Sequence, residues 1–244
     1  SEMCIRDWIR TIIKPALLAT IALAVFSQPA QAWNNDLTLY LWGASLSGKA
    51  TLGQKTIPEQ PIEADFDDLF DKLDAGFQAH YEGKGERWGL GLDFTYLKLS
   101  DTNDANVSST VKANLSELFA IYRASDVFDV LAGARFTGLD MSLETPGQAD
   151  AEGDRSLTDF IIGGRAMLPL SESWRLGLRA DVGTGDTDLT WNAIVGLDWH
   201  VSKLIALRGG YRWLDYKLEQ DDAPIEAELD ILMDGPFLGI AFLW

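Results

Sequence analysis

From Leu37 onward the chain alternates apolar residues with small or polar ones at a period of two, not 3.6. Only an extended strand sends successive side chains to opposite faces, so this pattern commits the chain to β-structure. Leu37, Leu39 and Leu41 share one face of the first segment. Ala75, Phe77, Ala79 and Tyr81 do so in the second, and Trp88, Leu90, Leu92, Phe94 and Tyr96 in the third. Around 107–124 both faces are apolar: Leu118, Ala120 and Tyr122 compete with Phe119 and Ile121, which leaves the facing of this strand open. Phe128, Val130, Ala132, Ala134 and Phe136 mark the fifth strand, and Phe160, Ile162, Ala166 and Leu168 the sixth. Three more follow, carried by Trp174–Val182, Leu189–Trp199 and Leu207, Tyr211 and Trp213. In the last, from about Ile225 to Trp244, Leu229, Ile231 and Met233 are out of phase with Leu238, Ile240, Phe242 and Trp244. The change falls at Gly235-Pro236, where a bulge is expected because proline cannot donate to a ladder.

Segments of roughly ten residues with this alternation fit an all-β, transmembrane, antiparallel up-and-down β-barrel. The expected count is ten strands. Eight or twelve stay open, because 47–65 has room for an extra hairpin. Four connections are short, at 83–86, 124–126, 171–173 and 201–203, and read as periplasmic turns. The alternate connections, 47–72, 100–106, 142–157 and 218–224, are longer and acidic and read as extracellular loops. Within Phe66–Leu73 a short helical turn is expected. Trp88, Trp174, Trp199 and Trp244 fall near short turns, as an interfacial aromatic girdle would.

The two ends carry further expectations. Ser1–Asp7 match the translation of a transposase adapter used in preparing sequencing libraries and are set aside. Residues 8–32 read as a signal peptide: Arg10 and Lys14, an apolar run from Pro15 to Phe26, then Ala30-Gln31-Ala32 as a small-x-small cleavage site. That run is shorter than the ~20 residues a spanning helix needs. The barrel is therefore expected to occupy 33–244. Its last residues, Leu238 to Trp244, resemble the C-terminal signal by which the barrel assembly machinery recognises its substrates. Setting aside 1–32 removes the lone cysteine, Cys4, and with it any disulfide or cysteine metal site. The formal charge of −17 argues against nucleic acid, whose phosphates require clustered Lys and Arg.

Gly209–Tyr216, Asp188–Asn192 and Gly235–Gly239 resemble segments of an uncharacterised family of small proteobacterial outer-membrane β-barrel proteins. The resemblance implies the fold and location in the Gram-negative outer membrane. It implies no activity.

If the apolar face meets lipid, the opposite face lines a lumen. Asp93, Arg135, Arg165, Arg175, Arg179, Asp181, Asp198, Arg208 and Arg212 fall on that face as a charge network, together with a run of glycines. Charges confined there must pair. Two readings follow: a salt-bridged core that stiffens a structural barrel, or a narrow charged pore. A lipid-A-modifying enzyme is weighed on His200-Val201-Ser202, one of two histidine sites, the other being His80. Both histidines sit on the periplasmic side, away from outer-leaflet lipid. A hydrophobic-ligand carrier is weighed on Leu69, Phe70 and Leu73 over Trp42 and Leu46. Glu59, Glu63, Asp65, Asp67, Asp68 and Asp71 form the densest acidic run, without a calcium-loop spacing. The expectation is a non-enzymatic barrel with no cofactor, no metal and no catalytic residue. Its partners are outer-membrane lipid and lipopolysaccharide and the assembly machinery, and it acts as a monomer.

Overall fold

The computed structural model describes residues 33–52, 60–102, 108–144, 151–220 and 227–244. The adapter at 1–7 and the signal peptide at 8–32 lie outside the described residues, as does Glu59. The strands are β1 (Asn34–Trp42), β2 (Ser45–Leu52), β3 (Gln60–Ala64), β4 (Leu73–Lys84), β5 (Trp88–Thr102) and β6 (Ser108–Arg123). They continue as β7 (Phe128–Glu144), β8 (Ala151–Pro169), β9 (Trp174–Gly185), β10 (Leu189–His200), β11 (Ile205–Gln220) and β12 (Ala227–Leu243). The helix α1 (Phe66–Asp71) separates β3 from β4.

From β4 to β12 each strand pairs antiparallel with the next, and β1 pairs with both β4 and β12. Among the described residues ten strands thereby close on themselves, which leaves no wall edge to expose unpaired amides to lipid. The expected count holds. The hairpin at 45–64 exists but adds no strand to the cylinder. β2 continues along β12 from Ser45↔Asp234 to Leu52↔Ala227, in the register already set by Trp42↔Phe237. β1 and β2 are thus one strand interrupted at Gly43-Ala44, and β3 pairs only with β2.

Pro236 explains the interruption. Gly43 donates to the Pro236 carbonyl at 2.8 Å. A strand residue turns its N and C=O toward the same neighbour, so the proline nitrogen also faces β1, and it has no hydrogen to give. A β-carbon at Gly235 would overlap the Gly43 carbonyl, which is why the chain passes there on glycine. The bulge expected at Gly235-Pro236 is absent, since pairing with β11 runs unbroken through Arg212↔Gly235 and Tyr211↔Pro236. What changes phase is the apolar content. Below Gly235 the outer face is apolar, and above it Met233, which shares a face with Phe237, joins an apolar cluster inside the barrel. A register irregularity occurs elsewhere, between Leu73 and Ala75 on β4.

The loop expected at 142–157 is mostly strand, paired out to Leu143↔Ala151. β9 and β10 meet at Asp186–Asp188, so one connection at the loop end is short. There Asp186 accepts from the Thr158 amide at 2.8 Å, and Asp159 accepts from the amide and hydroxyl of Thr187 at 2.9 and 2.8 Å.

The outer wall is apolar and banded. At the short-turn end Trp174 stacks on Trp199 at 5.6 Å, Trp88 meets Tyr122 at 4.9 Å and Tyr81 meets Trp244 at 6.5 Å. Ten residues up β5 from Trp88, Lys98 begins a cross-strand row of outward charges, Lys98↔Lys112↔Asp140↔Asp154. Lys217↔Asp230↔Lys49 forms a matching row on the other side. Ten residues of a strand tilted about 40° rise roughly 25 Å, the height of a lipid-facing band.

Candidate functional site: the charged barrel interior

Inward facing follows from parity on each strand, and the short turns fix register between strands. The turn between β6 and β7 sets Glu117 opposite Arg135 and Phe119 opposite Gly133. Directly opposed residues share a face. The facing of β6, open from its sequence, is thereby decided: Leu115, Glu117, Phe119 and Ile121 are buried inside, and Leu118, Ala120 and Tyr122 belong to the wall. Phe119 fits because the residue beside it on β5 is Gly91, where a β-carbon would overlap its ring.

Glu117 is the hub at mid-height. Its Oε1 accepts from Arg135 Nε at 2.9 Å and Arg212 Nη2 at 3.2 Å, and its Oε2 accepts from Arg179 Nη2 at 2.7 Å. Asp181 is the second node, receiving Arg135 Nη2 at 2.6 Å, Arg179 Nε at 3.0 Å and Asn192 Nδ2 at 2.9 Å. Arg135 also donates to Thr190 Oγ1 at 3.0 Å, and Arg212 to Asn192 Oδ1 at 3.0 Å. Two guanidiniums lie on rings, Arg179 4.7 Å above Phe119 and Arg212 4.8 Å above Trp42. Arg135 and Glu117 are 0% and 1% exposed. A buried ion pair left without its partner is strongly destabilising, and here both oxygens of Glu117 and of Asp181 accept from guanidiniums.

Below this layer, toward the short turns, His80 bridges two carboxylates, with Nδ1 3.0 Å from Asp93 and Nε2 3.0 Å from Glu82. Tyr40 donates to the same Asp93 at 2.9 Å. Arg165 joins Glu82 to Asp129, the latter at 2.7 Å. Arg208 joins Asp198 at 3.2 Å to Asp36 at 2.9 Å. Above it, toward the loops, Trp42, Leu115, Leu214 and Tyr216 form a buried apolar cap, packed round with Tyr40, Ala44, Leu218, Met233 and Phe237. Helix α1 lies at this rim with no buried residue, its Phe66 ring in contact distance of Gly43.

The eight residues expected to form the charge network, Asp93, Arg135, Arg165, Arg179, Asp181, Asp198, Arg208 and Arg212, all stand on the inner face and each makes an ion pair. Arg175, on the same face, stands in the opening at the short-turn end with no ion partner among the described residues. Sequence reading missed Glu117, Asp36, Glu82 and Asp129 as network members. The turn between β6 and β7 was the available signal for Glu117, since it dictates the opposition to Arg135.

Among the described residues His200 and Ser202 share no hydrogen bond. Ser202 Oγ accepts from the amides of Leu204 and Ile205 at 3.2 and 3.1 Å, closing its turn. Ser171 does the same for Ser173 and Trp174, and Ser125 for Val127. The His-x-Ser spacing is a strand end followed by a repeated turn serine. Of the acidic run, Asp65, Asp67, Asp68 and Asp71 are exposed on and before α1, and no metal-ligating cluster occurs among the described residues.

No family model and no curated protein matches the chain. Among solved structures, the outer membrane protease OmpT from Escherichia coli is similar over 89% of this chain and 99% of its own, with 9% identity and a TM-score of 0.54. The attachment invasion locus protein Ail of Yersinia pestis, solved with the heparin analogue sucrose octasulfate, is similar over 87% of this chain and 99% of its own. Its identity is 8% and its TM-score 0.43. The likeness to OmpT is one of fold. With a closed wall, an apolar outer band and aromatic girdling, the protein is a β-barrel of the Gram-negative outer membrane.

Proposed function

We propose that the protein is a non-enzymatic, structural outer-membrane barrel whose lumen is sealed. The observation that carries this reading is the complete burial of the Glu117–Arg135–Asp181 layer at mid-height beneath the apolar cap of Trp42, Leu115, Leu214 and Tyr216. Small barrels fill with side chains, and wide aqueous channels need about sixteen strands. An ion crossing this layer would have to displace paired charges at a low-dielectric site, which is costly. The cap also packs around Trp42, the residue against which a hydrophobic ligand at the mouth would rest.

A hydrolase reading finds less support. The hydroxyl of Ser202 is engaged with its own turn, and both ring nitrogens of His80 are engaged with carboxylates. With short turns on the periplasmic side, both histidines also stand away from outer-leaflet lipid.

The test is single-channel conductance of 33–244 in a planar bilayer. Silence across applied voltages is the expected outcome. Reproducible current steps whose size changes in Arg179→Ala or Arg212→Ala would instead make the charged lumen a narrow pore.

A further inference from the structure

We infer that the cavity at the short-turn end of the barrel is a binding site for a small amphiphilic anion, a carboxylate or phosphate on a short apolar body. The cavity holds about 330 Å³ and shares Arg123, Arg175 and Arg208 with a wider opening of about 790 Å³ at the same end. That size falls within the ~300–1,000 Å³ of small-molecule sites.

The hollow is built by sequence. Gly177, Gly196 and Gly210 stand directly opposite one another across β9, β10 and β11 on the inner face. A larger residue at Gly177 or Gly196, which line the cavity, would project into it, whereas Gly210 is needed because a β-carbon there would overlap the Val195 carbonyl. A β-carbon at Gly177 would meet the Met167 sulfur at 3.3 Å and nothing else closer than 3.8 Å, so open space lies in front of it. The charged layer around Glu117, two residues further along each strand, has side chains in place of these glycines.

The walls differ in chemistry. Met167, Ile194 and Phe237 supply an apolar side, while Arg165, Arg175 and Arg208 line the other. Of the carboxylates nearby, Asp36 and Asp198 hold Arg208 and Glu82 and Asp129 hold Arg165, while Asp126 and Glu172 stand exposed at the opening. Arg175 and Arg123, at the opening, have no ion partner among the described residues. On a chain of formal charge −17, uncommitted guanidiniums gathered at one mouth are not a by-product of composition. A separate observation points the same way. Arg165 Nε in the cavity wall and His200 Nδ1 in the wall of the wider opening are buried without a hydrogen-bond partner among the described residues. Polar groups sealed from water ordinarily have one. An oxyanion entering between Arg175 and Arg208 would meet the planar, multi-donor guanidinium geometry that suits carboxylate and phosphate. Its apolar body would lie along the glycine row against Phe237.

This inference goes beyond the sealed lumen: a cavity closed above Arg212 receives a ligand from the periplasm and does not pass it on. Calorimetric titration of the intact barrel in neutral detergent with hexanoate and with hexyl phosphate, against hexanol, tests it. One saturable site for both anions and none for hexanol is expected. Affinity should fall at least tenfold in Arg175→Gln, an exposed position, and disappear in Gly177→Leu, while both variants keep the heat-modifiable migration of a folded barrel. Flat titrations with both anions, equal binding of hexanol, or anion affinity unchanged in Arg175→Gln would overturn the inference. Conductance, measured separately, bears only on whether the lumen is sealed.

Discussion

At the scale of single residues the interior turns on Glu117. Three arginines share its carboxylate, so replacing it leaves Arg135, Arg179 and Arg212 facing one another with only Asp181 and Asp93 to balance them. Breaking a buried pair by removing one partner costs roughly 3–5 kcal/mol. Glu117→Gln preserves shape and removes the charge. It should lower the free energy of unfolding in urea by about that amount, whereas Arg87→Gln, at an exposed turn, should change it by no more than ~0.5 kcal/mol. Equal midpoints for the two variants would mean that the network contributes little. The residue was hard to find for a physical reason. β6 must put an apolar ring, Phe119, inside to cover Arg179, so its inner face is no more polar than its outer one and alternation carries no sign there.

At the scale of elements, the seam between β1 and β2 is where a proline breaks the ladder. Pro236 withholds a hydrogen from Gly43, and the two halves of the strand nevertheless keep one register along β12. Pro236→Ala supplies the missing donor. The new amide should show slow hydrogen exchange and the barrel should gain up to about 1 kcal/mol, the net worth of one added hydrogen bond. Fast exchange at residue 236 in the folded variant would mean that the seam is held apart by packing around Phe66 and Gly43, not by the absent hydrogen. The expected bulge at this site rested on the swap of apolar residues between faces. Pairing with β11 shows that the faces hold and that the environment changes, from lipid outside to an apolar cap inside.

At the scale of the whole molecule, the barrel is layered along its axis: an open, arginine-lined cavity, a dense ionic layer, then an apolar cap under the helix at the rim. Surface charge and buried charge should answer differently to salt. Raising ionic strength from ~0.01 to ~1 M shortens the Debye length from about 30 to about 3 Å and screens exposed pairs such as Lys72–Asp101. The ionic layer, out of reach of counter-ions, should be affected little, so the unfolding midpoint should stay nearly constant over that range. A steep fall with salt would show that water and ions enter the layer, and with them a route for conduction.

Much of this was legible in the chain. Alternation at period two determined strands, an apolar outer face and the inward placement of Arg135, Arg179, Asp181 and Arg212, because side-chain direction on a strand is a local property. Gly177, Gly196 and Gly210 could be assigned to the inner face by the same parity. Their meeting in one row could not, because it depends on the register of three strands. The tertiary structure alone decided which carboxylate answers which guanidinium, that the β2–β3 hairpin stays outside the cylinder, and that a cavity remains below the ionic layer. Parity is set by each residue's own backbone, whereas these contacts join residues up to 172 positions apart in the chain, as in Arg208 with Asp36, and exist only once the barrel has closed.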